Sequence, residues 1–321
     1  GQGYGALEEL LVAEEFCRQF GGIGECVVTT DTFAKILLAN GTEEQKKKYL
    51  PPIARGEAVM TGALTEPDRG SDITWLSTRA VKDGSDYIIN GNKTFATYAS
   101  IAKWAMVLCQ TDPEAKPTYR GQSFVLVELD RKGIDISDFN KMGWHTAPTC
   151  NLILSDVRVP QENLIGEENR GFYHVVQHLN YFRVVMAGVG VGVAQGAFDR
   201  ALEYAKIREA FGRKIGEFQV IQHRLADMHI KIETARLLAY KAAWKIDQGR
   251  TDPKLCSMAK LYGCSAAVEV ADAAISIFGG HGYMLENEVE RFYRDARCYP
   301  IVEGTPDLHR NLIGRTLLGL K

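Results

Sequence analysis

Glu303 stands alone between Val302 and the run Gly304-Thr305-Pro306. A carboxylate is a residue type that can accept a proton, and the glycine beside it lets a ligand reach the backbone. In isolation the same dipeptide reads as a solvated side chain before a turn, because Glu is mostly exposed. Far upstream, Ala63-Leu64-Thr65-Glu66-Pro67-Asp68-Arg69-Gly70-Ser71-Asp72 reads as a loop rich in hydroxyls, with Gly70 leaving room for a ligand. A further block runs Phe278-Gly279-Gly280-His281-Gly282-Tyr283. His174 and His178 are four apart and could face one metal, yet no third ligand accompanies them and HExxH is absent; a surface helix accounts for them, and no metal site is expected. No GxSxG elbow occurs.

The elements that must carry these residues change character along the chain. Leu7, Leu10, Leu11 and Phe16 recur at helical spacing, so residues 6–55 read as helices. Thr42-Glu43-Glu44-Gln45 is a capping box opening a helix that ends near Ile53. From 58 to 160 short β-rich runs follow, at 104–108, 123–127 and 152–159, and Asn90-Gly91 carries a hairpin signal. After Pro160 the pattern predicts helices near 168–209, 215–248, 253–278 and 286–294, with another after Pro306; long helices with short loops make an antiparallel bundle. Gly188-Val189-Gly190-Val191-Gly192 lies inside a helical pattern and reads as close helix–helix packing rather than a dinucleotide loop.

Composition narrows the class. The 321 residues predict two or three domains, and 45% hydrophobic with 24% charged content suits a globular chain. A net charge of −2 gives no case for nucleic-acid binding. No uncharged apolar run is long enough to span a membrane; the nearest, Val184 to Ala197, is short and glycine-rich. Seven scattered cysteines without CxxC point to a reducing compartment.

Taken in order, the two signature blocks resemble those of the FAD-dependent acyl-CoA dehydrogenase family. Supporting stretches include Gly41–Gln45, Gly91-Asn92-Lys93, Asp156–Pro160, Arg208–Gly212 with Phe218-Gln219, and Arg291–Ala296. The resemblance implies an α+β, mainly α fold: N-terminal helices (1–57), a middle antiparallel β domain (58–165) and a C-terminal four-helix bundle (166–321). It also implies a further helical stretch before Gly1, so the chain is expected to be truncated at its N-terminus.

The implied reaction is α,β-dehydrogenation of an acyl-CoA to the trans-2-enoyl-CoA. Glu303 matches the α-proton base, and the flavin N5 accepts the β-hydrogen as hydride. Such a base must be desolvated when substrate binds. The thioester oxygen needs hydrogen-bond donors, in the family the N–H of the base and a ribityl hydroxyl; Gly304 keeps that backbone open. Ala63, Leu64, Thr65, Gly70, Ser71, Phe95, Thr97, Arg208, Phe211, Ser276, Gly279, Gly280, Thr305 and Asp307 match FAD-contacting positions. Ser71, Asn180 and Arg183 match positions near the substrate. Phe95 stands where many members have tryptophan, and for a strand aromatic plain core is the alternative. Arg208 has the fork for a neighbouring subunit's pyrophosphate; alone it reads as a solvated arginine at a helix end. Arg183 could instead form an intrahelical salt bridge. Ser276 and Asp307 replace glutamines that serve the adenosine half of FAD. The implied partners are electron-transfer flavoprotein and three further copies in a dimer of dimers, in the bacterial cytoplasm or mitochondrial matrix. An acyl-CoA oxidase, an enoyl-CoA reductase and a non-catalytic acyl-CoA-binding relative are the alternatives.

Overall fold

Capping chemistry sets where the helices begin. The computed structural model describes residues 3–320, apart from the side chains of residues 25–27 and 29; Gly1, Gln2, Lys321 and the Cys26 side chain lie outside the described residues. The chain opens with α1 (Ala6–Gln19), α2 (Gly21–Asn40) and α3 (Glu43–Ala54). Thr42 Oγ1 accepts from the Gln45 N–H at 3.2 Å, and Gln45 Oε1 accepts from the Thr42 N–H at 2.9 Å. That reciprocal pair satisfies two donors that a helix start leaves open, where the sequence predicts it. Strands follow: β1 (Met60–Ala63), β2 (Arg79–Asp83), β3 (Asp86–Thr97), β4 (Trp104–Gln110), β5 (Gln122–Glu128), β6 (Ile134–Asp138), β7 (Thr149–Pro160) and β8 (Leu164–Ile165). The rest is mainly helical: α4 (Gly171–Ile207), α5 (Gln219–Asp247), α6 (Pro253–Phe278), α7 (Val289–Ala296) and α8 (Pro306–Leu317). The chain groups into two compact units. One holds the residues up to Val28, Lys141–Thr146 and the chain from Leu179; the other holds Thr29–Asn140 and Ala147–His178.

The second unit is built on one sheet ordered β6-β7-β3-β2-β4-β5-β8, with β1 parallel to β4. The pairings β2–β3, β3–β7, β4–β5, β5–β8 and β6–β7 are antiparallel. Alanine, valine and leucine side chains of β3, β4, β5 and β7 close its core. α3 is tied to this sheet: Gln45 Nε2 donates to the carbonyls of Glu162 and Leu164, and Tyr49 meets Trp104 edge-on at 5.1 Å. Asn90-Gly91 does not turn the chain. It lies inside β3, at a register shift against β7, and the hairpin turns instead at Gly84-Ser85, between the paired Asp83 and Asp86. Asn90 is held in the strand by its side chain, which donates to Asp156 Oδ1 and accepts the Asp156 N–H. A Cβ at Gly91 would meet the Thr78 side chain at 2.3 Å, so the glycine permits strand contact rather than reversal.

In the first unit the glycine run of α4 is a packing face. A Cβ at Gly190 would lie 2.6 Å from the Gly263 carbonyl on α6, one at Gly192 2.2 Å from the Glu14 carbonyl on α1, and one at Gly188 2.6 Å from Leu10. Ala6, Leu10, Val184, Ala187, Ala239, Ala242 and Ala259 form the shared core of α1, α4, α5 and α6. Small residues let these helices approach closely. Glu14 is buried among them, accepting hydrogen bonds from Arg236 and Tyr240, each at 2.9 Å. α6 starts at Pro253 behind an Asp252 cap and stops at Gly279, whose φ of 62° ends it. α7 starts three residues later than expected because Glu288 takes a left-handed φ of 57°. Among the described residues two helices, α4 and the stretch from Pro253 to Tyr283, are long and apolar enough to cross a membrane; their most apolar windows are 83% and 50% buried within the protein, as in core helices.

Candidate active site

Between α7 and α8 the chain makes a run of turns that ends at Glu303 and Gly304. Both are left-handed, at φ 54° and 103°. For a glutamate this conformation costs on the order of 1–3 kcal/mol and persists only when the surroundings impose it. The imposing group is Lys260 of α6. It is 1% exposed, and its ammonium donates to the carbonyls of Gly304 at 2.7 Å and Pro300 at 3.2 Å. Thr305 then caps α8, its Oγ1 accepting from the Leu308 N–H. From α8, His309 lies over Gly304: a Cβ there would sit 3.1 Å from His309 Nε2.

The Glu303 carboxylate has no hydrogen-bond donor among the described residues. Desolvation raises its pKa above the ordinary value, against the opposing pull of Lys260 and Arg183. A carboxylate of this kind is a stronger base than a hydrated one. Arg183, half-buried on α4, donates to Asn180 Oδ1 at 3.2 Å, and its Nε is buried without a partner. Among the described residues it forms no intrahelical salt bridge, its helical partner Asn180 being neutral, and its charge is felt by Glu303. His309 is 1% exposed with both ring nitrogens unpartnered, and burial pushes its pKa down to about 4. The unit thus brings together Glu303, Gly304, Asn180 and Arg183, and adds Lys260 and His309, which the motif reading passed over.

The same unit contains an open cleft of about 420 Å³ lined by Arg208, Gly279, Gly280, Tyr204, Phe278 and His281 among others. Tyr204 and Phe278 stack at 4.0 Å. Nothing lies within 4 Å of a Cβ built at Gly279 or Gly280, so backbone is open there. Past α4 a small hairpin, β9 (Glu209–Ala210) and β10 (Arg213–Lys214), presents Phe211 at 96% exposure with φ 52°. Ser276 is exposed on α6 and does not line the cleft. Asp307 is exposed and paired with Arg310 at 3.1 Å, so its negative charge is met locally.

In the other unit, the loop after β1 is shaped by a buried ion pair. Lys93 of β3 donates to Glu66 at 2.9 Å and to the Leu64 carbonyl at 2.9 Å. Glu66 also accepts the N–H groups of Ser77 and Thr78. Burial raises the Glu66 carboxyl, but Lys93 and these amides outweigh it and hold it below the usual range. The Thr65 carbonyl accepts from Thr94, and Glu66 and Arg69 bridge across a tight turn. Ala63 is buried at the end of β1, and Gly70 and Ser71 are exposed beyond the turn. Thr97 is half-buried at the end of β3. Phe95 is not core: it is 65% exposed, at φ 58° on a register shift of β3, beside Phe139. His174 corrects the surface-helix reading. It is buried, with Gly166 packed against its ring, and His178 is half-buried; among the described residues no three ligand-type side chains gather for a metal.

Lys260 was detectable in principle, since Cys256, Ala259, Gly263 and Cys264 mark its side of α6 as buried. Tyr204 lies one turn before Arg208 on the same strip of α4 and β9 lead-in. Neither belongs to the signature blocks.

Comparison with known proteins finds relatives along nearly the whole chain. Family models described as the acyl-CoA dehydrogenase N-terminal, middle and C-terminal domains match residues 1–57, 61–157 and 169–318. The caffeyl-CoA reductase-Etf complex subunit CarC of Acetobacterium woodii is 41% identical, over 99% of this chain and 84% of its own length. The mitochondrial isovaleryl-CoA dehydrogenase of Pongo abelii is 38% identical, over 98% and 75%. The structure of butyryl-CoA dehydrogenase from Megasphaera elsdenii superposes with a TM-score of 0.94 at 35% identity, covering 99% of this chain and 83% of that one. The chain belongs to the acyl-CoA dehydrogenase family, and is an oxidoreductase acting on CH–CH bonds.

Proposed function

We propose that this enzyme oxidises an acyl-CoA thioester to the trans-2-enoyl-CoA with Glu303 as the α-proton base. The observation that carries the reading is the Glu303 carboxylate itself: it is without a hydrogen-bond donor, raised in pKa by desolvation, and held on a left-handed turn. Glu303 is half-buried, and a substrate that covers what remains exposed would raise its basicity further. Gly304 leaves the Glu303 N–H approachable for the thioester oxygen, where negative charge grows as the α-proton leaves. Arg183 and Asn180 flank that position and would hold the thioester and CoA portion.

The residues present fit FAD. Arg208 offers a guanidinium fork beside open Gly279-Gly280 backbone and stacked aromatics, and Thr65, Gly70 and Ser71 sit on a braced, exposed loop. Phe211, Phe95, Thr97 and Thr305 would add contacts. When bound, FAD supplies the acceptor for the β-hydrogen, taken as hydride at N5. Electron-transfer flavoprotein is the proposed electron partner, in keeping with the Etf-complex relative. The proposed assembly is a homotetramer in which the Arg208–Gly212 hairpin serves a neighbouring subunit. Ile230, Leu237 and Trp244, exposed seven residues apart on α5, offer that assembly an apolar stripe. The caffeyl-CoA reductase relative favours a second reading, in which the enzyme reduces an enoyl-CoA in the cell.

Anaerobic mixing with a panel of straight, branched, cyclic and aromatic acyl-CoAs tests the proposal. Wild-type flavin should bleach with at least one of them, and Glu303→Gln should keep its flavin while bleaching about 10²–10⁴ times more slowly. Bleaching of the variant at the wild-type rate would place the base elsewhere.

A further inference from the structure

Lys260 is costly where it stands. An ammonium buried in a helix interior gives up its hydration, and burial pulls its pKa down. A neutral donor could serve two backbone carbonyls at less cost. Among the described residues Glu303 is the carboxylate that acts on this charge, yet the ammonium does not bond to it. It donates instead to the carbonyls of Pro300 and Gly304, on the turn that carries Glu303. A direct salt bridge would occupy the lone pair that a substrate proton needs. Anchoring the ammonium to the backbone keeps its charge close and leaves the carboxylate unbonded.

Resting on the reading of Glu303 as the base, we propose that Lys260 is a positioning residue of the reaction: it clamps the left-handed Glu303–Gly304 turn through two carbonyls and supplies the buried positive charge that keeps the base ionised. The other groups around this turn do not substitute for it. Arg183 faces Glu303 from α4, but its hydrogen bond goes to Asn180 and not to the turn. His309 faces the turn from α8 and is neutral above its pKa of about 4. Cys256 of α6, beside Arg183, is pushed up to about 11 by burial and stays a neutral thiol. Cys264 of α6 and Cys298 of the preceding turns face Lys260 itself.

Removing the charge should make Glu303 harder to ionise, so the acid limb of the rate should move to higher pH. Removing the clamp should lower the rate at every pH. Lys260→Met removes both, whereas Lys260→Gln keeps a donor and loses the charge. Three readouts apply to each FAD-loaded variant: kcat and KM against pH, an infrared titration of the protonated carboxyl band that Glu303→Gln lacks, and a thermal melt. The proposal expects the Glu303 titration midpoint and the acid limb to rise in both variants. It expects kcat at the plateau to fall about a hundredfold in Lys260→Met and about tenfold in Lys260→Gln, with KM changed far less. A Glu303 midpoint unmoved in the variants, or a Lys260→Met kcat within about twofold of wild type, overturns it. If Lys260→Met does not fold, the Lys260→Gln titration decides. Glu303→Gln in the same series separates the two claims: if it bleaches normally the base assignment fails, whereas an unmoved midpoint beside an inactive Glu303→Gln fails only the role of Lys260.

Discussion

Glu303 carries two penalties at once, a left-handed backbone and a desolvated carboxylate. Both work against stability and both suit a base, the pattern of strain held at a functional site. Glu303→Gly should therefore raise the stability of the flavin-free protein by about 1 kcal/mol in denaturant melts while abolishing turnover. The pH dependence has a definite sign. A carboxyl whose folded pKa lies above its unfolded one favours the folded state when protonated, so its contribution is lost as pH climbs from the ordinary carboxylate range through the raised value. Melts of wild type against Glu303→Gly across that range should show a decline that only the wild type has. The position of Glu303 was legible from Glu303-Gly304-Thr305 within its block. Its φ and its desolvation were not: the turn is held by Lys260, more than forty residues earlier in the chain, and the desolvation comes from the packing around it.

At the scale of elements, the buried Lys93–Glu66 pair is what lets β3 brace the loop after β1. Lys93→Met strands Glu66 in the interior and should cost about 3–5 kcal/mol, whereas the double variant with Glu66→Gln should recover part of that loss. Glu66 has a folded pKa below its unfolded value, so its stabilisation is full above the unfolded pKa and fades as pH falls through the folded one. Acid melts of wild type and double variant should converge in that direction. Periodicity located the helices well. Asn90-Gly91 misled because its local turn preference is outweighed by long-range pairing of β3 with β7 and a side-chain bond to Asp156. His174 misled because helix spacing alone does not say which face is covered.

For the whole molecule, the Arg208 cleft and the Phe211 hairpin are the features a single chain leaves most open. If they serve a bound dinucleotide, Arg208→Ala should weaken FAD retention about ten- to a hundredfold, the worth of a charge-assisted hydrogen bond. Equilibrium dialysis of flavin from the variant and the wild type measures this, and equal retention would remove Arg208 from the site. Gly188 to Gly192 show the reach of sequence reading at this scale: a helix-interior glycine run predicts close packing, and α1 and α6 do meet α4 there.

The order of elements, the helix caps and the chemistry-bearing blocks were determined by the sequence alone, because capping, periodicity and motif spacing act over a few residues. The tertiary structure decided which charges are dry, which turns are left-handed and which aromatics stay exposed. Phe95 in the open, Lys260 beneath the Glu303 turn and the unpartnered His309 each follow from packing between segments distant in the chain. Desolvation and imposed backbone strain belong to an assembled interior, and no local stretch of residues specifies them.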